Sequence, residues 1–468
     1  MSVRPAAELG DAPEVPLVII GAGACGLTAA LAAHDGGASP LLLERDATPS
    51  GSTALSSGMI PAAGTRWQRA AGVDDEPARM AADIQRKARG EAEPALVDAV
   101  CAEAAPCLEW LADAHGVPLS LVEGFRYPGH GCLRMHAPPT RTGAELEGAL
   151  LQAAERAGID LITGAHVTAL FADDDGRVHG LELTRPDGST ERIACEAMVL
   201  ACNGYGGNPE MVRRYLSEMA QAEYFGHPGN QGDAVRWGEA LGAATSGMAA
   251  YQGHGSVAAP HGILITWALM MEGGIQVNAA GERFSNEHDG YSEQAVRVLD
   301  QPDGLAWDVF DDRLLALGRE FEDFHQAEAA GAVRHGDDAG ALAQACGLPA
   351  EALAAAIAES QALAAGEGVD RFGRDFTGQP PLAAPYHAIR VTGALFHTQG
   401  GLKIDPAARV LRPDGSALPN LFAGGGAAVG VSGNAVWGYL SGNGLLTAVT
   451  LGRIAGRTAA QALHGPVC

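Results

Sequence analysis

An apolar run, Leu17 to Ile20, leads straight into Gly21-Ala22-Gly23-Ala24-Cys25-Gly26, and an Ala/Leu-rich stretch follows until Gly36-Gly37. The run predicts a buried strand, the Ala/Leu stretch a helix stopped by the glycines, and Leu41 to Leu43 a second strand ending in Glu44. Together they make a βαβ unit. Later, "HVTALFADDDGRVHGLELTRPDGSTERIACEAMVLACNGYGGN" alternates apolar and polar positions with Asp-Gly turns at 175–176 and 187–188. That pattern predicts antiparallel strands, then a buried strand from Met198 to Ala201 that ends in glycines. The Ala-rich stretch "GALAQACGLPAEALAAAIAESQALAAG" has high helix propensity and predicts a surface helical layer. The segment "LPNLFAGGGAAVGVSGNAVWGYLSGNGLLTAVTLGRIAG" reads as a strand, a Gly-rich loop and a helix. Residues 1–14, rich in Pro, Ala and acid, read as a flexible arm.

The βαβ unit carries chemistry. Gly21 permits the tight turn, Gly23 lets backbone approach a pyrophosphate, and Gly26 lets helix and strand pack closely. The helix N-terminus offers N–H groups and the positive end of a dipole to phosphates. Glu44 stands where an acid accepts from ribose hydroxyls. This predicts a dinucleotide, NAD or FAD. The hydroxyl-rich and glycine-rich loop "ATPSGSTALSSGMIPAAGT", which lets backbone lie against a flat ring, and the meander with its return strand favour flavin.

At 468 residues the chain exceeds the size at which one core keeps growing, so two domains, one inserted in the other, are expected. With 47% apolar and 19% charged residues it is a folded globular protein. A formal charge of −25 argues against nucleic acid and anionic membrane surfaces as partners. No charged leader with an apolar core opens the chain, and no apolar run approaches membrane-helix length, so a cytoplasmic protein is expected. The eight cysteines are scattered, without CxxC or zinc spacing, so reduced thiols and no metal site are expected. No haem or iron–sulfur motif supplies an onboard electron path, and the electron acceptor and oligomeric state are left open.

Gly21 to Gly26 with Glu44, "GSTALSSGM", "VLACNGYGGN", "GNQGDAVRWGEALGA", "GIQVNAAGERFSNE", "HTQGGLKID" and "NLFAGGGAAVGVSG...GYLSGNGLL" resemble, over nearly the full chain, the flavoprotein family of fumarate reductase, succinate dehydrogenase and 3-ketosteroid dehydrogenases. The resemblance implies an α/β fold: a Rossmann-like FAD-binding domain at 15–248 and 394–468, with an inserted α+β cap at 249–393 and the active site at their interface. It further implies that FAD is held by Gly21, Ala22, Gly23, Ala24, Cys25, Gly26, Glu44, Arg45, Gly51, Ser52, Thr53, Ser56, Ser57, Gly58, Val167, Ala201, Cys202, Asn203, Gly204, Asp233, Gly425, Gly442, Asn443, Leu445 and Leu446. Ser52 stands where membrane-bound members attach FAD through histidine, so noncovalent FAD is expected. Gly426 stands where family members carry an acid.

Members that use dicarboxylates grip them with two arginines and relay a proton through Glu and Arg, because carboxylates want bidentate, permanently charged partners. Alignment on "ERFSNE" and "LSGN" puts Tyr291 and Tyr439 at the arginine places and Trp267 and Met270 at the relay. A dicarboxylate there would lie unpaired, at a cost of several kcal/mol. The two tyrosines, with Ser441 in a Tyr-x-Ser pair, are similar to those of ketosteroid dehydrogenases that form a 4-ene. In that reading one phenol donates to a ketone oxygen and the other removes the α-proton. A phenol of ordinary pKa near 10 is a slow base, so Tyr291 needs a lowered pKa or a relay to Ser441 or a histidine. His254 and His397 fall where family histidines meet substrate. The expected function is an FAD-dependent dehydrogenase that forms a C=C bond beside a ketone in a small alicyclic or steroid-like molecule. The alternatives are an enone or enoate reductase, or a flavin-binding redox sensor without turnover.

Overall fold

The computed structural model describes residues 2–123 and 126–464. Its residues fall into two compact units. The first holds residues up to Leu216, Gly226–Tyr251, and the chain from His397 onward; the second holds Ser217–Phe225 and Gln252–Phe396.

In chain order the first unit opens with β1 (Ser2–Pro5), β2 (Glu14–Ile20), α1 (Ala24–Asp35) and β3 (Pro40–Leu43). It continues with α2 (Gly143–Arg156), β4 (Asp160–Ile162), β5 (His166–Ala172), β6 (Val178–Thr184) and β7 (Thr190–Leu200). The inserted stretch carries β8 (Tyr251–Ala258), β9 (Ile275–Val277), α3 (Tyr291–Leu299), β10 (Leu305–Asp311), β11 (Val333–Gly336) and β12 (Tyr386–Thr398). The chain then adds β13 (Arg409–Leu411), β14 (Ala417–Ala423) and α4 (Asn443–His464).

The sheet of the first unit runs β1-β5-β6-β7-β2-β3-β4, with β14 also on β7 and β13 on β14. Strand β7 joins two kinds of sheet. Its residues Thr190 to Ala194 pair antiparallel with β6, while Ala194 to Leu200 pair parallel with β2 and Met198 to Leu200 parallel with β14. The parallel part is covered on both faces, and its strands are correspondingly apolar throughout: Leu17, Val18, Ile19, Met198, Val199 and Leu200 are buried. The meander β5-β6-β7 turns at Gly176 and Gly188, both at positive φ, as the Asp-Gly pairs predict.

The first residues depart from the expected flexible arm. Ser2 to Pro5 pair in parallel with Ala169 to Ala172, and the Arg4 guanidinium donates to Glu182 at 3.2 Å. An exposed sheet edge offers unpaired backbone groups, and the arm fills them.

In the second unit the sheet order is Ile263–Leu264, β8, β12, β10, β9, with β11 and the short strand Glu223–Tyr224 also paired to β12. Ser217–Phe225, placed by sequence with the flavin domain, thus belongs to this unit: Glu223 and Tyr224 lie parallel to Ala394 and Leu395. The Ala-rich stretch forms helices Ala339–Cys346 and Ala350–Ala364, the latter burying Leu353, Ile357 and Leu363.

Helix α4 lies against α1. Gly452 and Gly456 are four apart, so they share one face, and a Cβ at either would overlap the carbonyl oxygen of Cys25 or of Ala29. The two backbones touch because both positions lack side chains. Gly456→Val is expected to destabilise the first unit by about 1–3 kcal/mol through overpacking; a calorimetric unfolding midpoint equal to that of the parent protein would refute this.

Candidate active site

The glycine turn is built as its sequence implies. Gly21 sits at φ +106°, and a Cβ on Gly26 would overlap the Gly21 carbonyl oxygen, so neither position accepts a side chain. Ala22 N–H donates to Glu44 Oε2 at 2.9 Å and Ala24 N–H to Thr53 Oγ1 at 2.9 Å, which ties the turn to the end of β3 and to the following loop. Glu44 Oε1 accepts from Asp46 N–H at 3.0 Å. A carboxylate has about four lone-pair sites, so Glu44 retains capacity for ribose hydroxyls.

The loop Gly51 to Gly58 is held from within and from outside. Ser56 Oγ donates to Thr53 O at 2.7 Å and Gly143 N–H to Ser56 O at 2.7 Å. Asn203 Nδ2 donates to Ser52 Oγ at 2.7 Å. Gly58 takes positive φ, and Ser57 is exposed beside it. Ala201 and Cys202 follow β7, Asn203 adopts φ +67°, and Gly204 packs on Thr398. Val167 is buried in β5 opposite Leu183. Gly425 packs on Cys25. Gly442, Asn443, Leu445 and Leu446 form the entry to α4. A Cβ on Gly426 would overlap Asn203 Oδ1, so a side chain there would require Asn203 to shift. Arg45 is engaged locally, donating to Gly229 O at 2.7 Å and lying 2.9 Å from His227 Nδ1.

These residues fit FAD. Two of them, Asp233 and Asn443, each carry a buried side-chain oxygen, Oδ1, with no hydrogen-bond partner among the described residues. Such groups are costly unless a ligand satisfies them. Glu147 on α2 is a third such residue, which sequence reasoning missed. Its Oε1 is buried without a hydrogen-bond partner among the described residues, and burial, with the Glu44 charge, pushes its pKa to about 7. An acidic position in an amphipathic helix carries no signal that singles it out.

Of the expected catalytic residues, Tyr439, Ser441 and His397 lie in the first unit. The His397 and Tyr439 rings meet edge-on at 5.5 Å and 74°. Burial pushes His397 down to about 4, so the ring is neutral near pH 7. His130, absent from the sequence-based set, fixes the backbone at Ser441 through its Nε2, 2.9 Å from Ser441 O.

Tyr291 and His254 lie in the second unit. Tyr291 is the first residue of α3 and stacks on His254 at 4.9 Å and 24°. A face-to-face stack is not a hydrogen bond, so His254 as placed orients the phenol ring. Burial drives His254 to about 3, and its Nδ1 accepts from Ser256 N–H at 3.1 Å, which leaves the proton on Nε2. Trp267 closes the cluster edge-on to His254 at 5.7 Å, and its buried Nε1–H has no partner among the described residues. Met270 is buried, and its carbonyl accepts from Arg374 at 2.9 Å.

The signature stretch before Tyr291 has a different task from binding anions. Arg283 donates to Asp370 at 2.7 Å and to Glu287 at 2.9 Å, and Arg374 donates to Glu287 at 3.1 Å. All four side chains are at most 1% exposed. Burial alone would raise the Glu287 pKa, but the Arg374 and Arg283 charges outweigh it and hold the group at about 2. Two cations and two anions cancel, which a buried cluster requires.

Burial raises the Cys25 and Cys202 thiols to about 12, so neither is a thiolate near neutral pH. Every described cysteine is free, and among the described residues no group of His, Cys, Asp and Glu is placed to hold a metal ion. Cys468 lies outside the described residues. No described helix is long and apolar enough to cross a membrane.

Residues 17–445 match the family model of the FAD binding domain. The chain is 29% identical over 461 residues to the probable fumarate reductase Ifc3 of Shewanella frigidimarina (strain NCIMB 400), covering 98% of this chain and 77% of that protein. It is 27% identical over 543 residues to the 4-oxocyclohexanecarboxylate 2-dehydrogenase of Sinomonas cyclohexanicum, covering 96% of this chain and 93% of that one. Among solved structures it resembles the 3-ketosteroid-delta4-(5alpha)-dehydrogenase from Rhodococcus jostii RHA1 in complex with 4-androstene-3,17-dione. The TM-score is 0.79 at 25% identity, with coverage of 98% of this chain and 100% of that one.

Glu44→Ala removes the acceptor at the end of β3 and is expected to weaken FAD binding about 10- to 100-fold, the range for losing a hydrogen bond to a charged group. Flavin absorbance retained after gel filtration measures it, and full retention at sub-micromolar protein would overturn the assignment.

Proposed function

The chain belongs to the FAD binding domain family of flavoprotein oxidoreductases that act on carbon–carbon bonds, and we propose that its own reaction is the α,β-dehydrogenation of a ketone in an alicyclic or steroid-like molecule, with FAD held noncovalently. One observation carries this reading. Arg283 of the signature stretch, with Arg374, is cancelled by Glu287 and Asp370, while the phenols at the anion-gripping places sit among neutral rings, Tyr291 with His254 and Trp267, Tyr439 with His397. Neutral donors suit an uncharged carbonyl oxygen; a dicarboxylate needs guanidinium forks.

Tyr439 Oη donates a hydrogen bond to the ketone oxygen and stabilises the enolate that forms when the α-proton leaves. His397, neutral and carrying a ring N–H, is a second donor of the same kind. Tyr291 Oη, once it has given up its own proton, takes the α-proton as a phenolate, with its ring set by the His254 stack. FAD, when bound, supplies the acceptor for the β-hydride. Ser441, two residues after Tyr439, completes the Tyr-x-Ser pair through which the phenol proton is exchanged. The fumarate reductase relative favours a second reading, in which the same donors polarise an enone or enoate and the double bond is reduced.

An anaerobic titration separates the readings. A 3-ketosteroid or substituted cyclohexanone that bleaches the oxidised flavin band supports dehydrogenation, and reoxidation of the reduced protein by the enone alone supports reduction. Silence toward both ends the ketone proposal in favour of a non-turnover flavin sensor. Tyr439→Phe is expected to lower kcat by about 100-fold or more while flavin content is kept, and a near-normal kcat would remove Tyr439 from the mechanism.

A further inference from the structure

Behind His397 lies a run of buried polar side chains that the reaction above does not use. Asn443 Nδ2 is 2.9 Å from Ser432 Oγ, Ser432 Oγ is 2.9 Å from Gln399 Oε1, and Gln399 Nε2 is 3.1 Å from His397 Nδ1. Asn443, Ser432 and Gln399 are all at most 4% exposed. We infer that these three residues form a hydrogen-bond chain of fixed direction that holds His397 as its Nε2–H tautomer and leaves Asn443 Oδ1 as the acceptor for a ligand N–H at the start of α4. Gln399 is then a positioning residue.

The direction follows from counting protons. Ser432 has one hydroxyl hydrogen. Given to Gln399 Oε1, it obliges Ser432 Oγ to accept from Asn443, and it turns the Gln399 NH₂ toward His397 Nδ1. A ring nitrogen that accepts carries no proton, so the imidazole proton stands on Nε2. The chain runs the other way only if both amides turn over and His397 carries its proton on Nδ1. Asn443 would then leave an NH₂ where its oxygen now stands.

Two features select the first direction. The competing acceptor for an Nδ1 proton, Thr398 O, is 3.4 Å away, beyond the range of a good N–H···O bond. Asn443 Oδ1 is fully buried and without a partner among the described residues, at the N-terminus of a 22-residue helix whose first N–H groups are donors. An acceptor beside donors complements an imide edge, in which an N–H stands next to a carbonyl, and the pyrimidine edge of a flavin is such an edge. His397, from β12, packs against that same first turn: a Cβ on Gly444 would come within 2.8 Å of His397 Nε2 and Cε1. The chain thus couples what Asn443 presents to the cofactor to which nitrogen of His397 carries the proton. The inference rests on the ketone reading only in that the Nε2–H then serves a substrate carbonyl; the tautomer does not depend on it.

Long-range ¹H–¹⁵N correlation on the ¹⁵N-histidine-labelled holoenzyme tests it, with His397 assigned by the signal lost in His397→Gln. The expected spectrum has an unprotonated Nδ1 and a protonated Nε2. In Gln399→Glu the side chain can only accept, and the expected result is that Nδ1 becomes protonated. A protonated Nδ1 in the parent protein, or an unprotonated Nδ1 kept in the variant, overturns the proposal; if the variant fails to fold, the parent spectrum decides by itself. The expected tautomer together with a silent ketone titration sinks the ketone reading and leaves this chain standing, and the converse result does the reverse.

Discussion

Segments from the two ends of the sequence meet because no side chain stands between their backbones. A Cβ at Gly26 would overlap the Gly21 carbonyl, and Cβ atoms at Gly452 and Gly456 would overlap the carbonyls of Cys25 and Ala29 on α1. That approach brings the turn after β2 and helix α4 into one unit, and with them the residues that fit FAD, Glu44 from one end and Asn443 from the other. Were α4 held off by even one methyl-sized layer, the cofactor cradle would lack its second half.

A second constraint acts through charge. Burying four ionised side chains is tolerable only if they pair, and Arg283, Glu287, Asp370 and Arg374 do so. The consequence for chemistry is a subtraction: cations that would otherwise attract carboxylates are used inside the unit. The aromatic groups nearby, with a histidine driven to about 3 by burial, offer uncharged N–H and O–H donors. The proposed preference for a neutral oxygen rests on where the charges have gone as much as on the phenols themselves.

Legibility differed by kind of feature. The βαβ unit, the Asp-Gly turns and the apolar return strand β7 were readable because each is encoded in a window of neighbouring residues. The arm at residues 1–14 misled because composition reports what a segment can do alone, whereas Ser2 to Pro5 are ordered by the free edge of β5. Ser217–Phe225 misled for the same reason: its short strand is defined by partners near residue 395. In the site, glycines and the Glu44 acid announced themselves by spacing. Glu147, His130 and the Gln399–Ser432 pair did not, since a polar residue gains meaning there only from being buried beside a particular neighbour.

By itself the sequence determined the strand–turn–helix that meets a dinucleotide and the flavin class, and it singled out Tyr291 and Tyr439. All are local patterns of residue type, and local patterns survive without knowledge of the fold. Only the tertiary structure decided the fate of Arg283, whose partner Asp370 lies 87 residues away, and the tautomer of His397, whose chain of partners runs through Gln399 and Ser432 to Asn443. Burial and hydrogen-bond direction are properties of the packed interior, and no stretch of chain carries them alone.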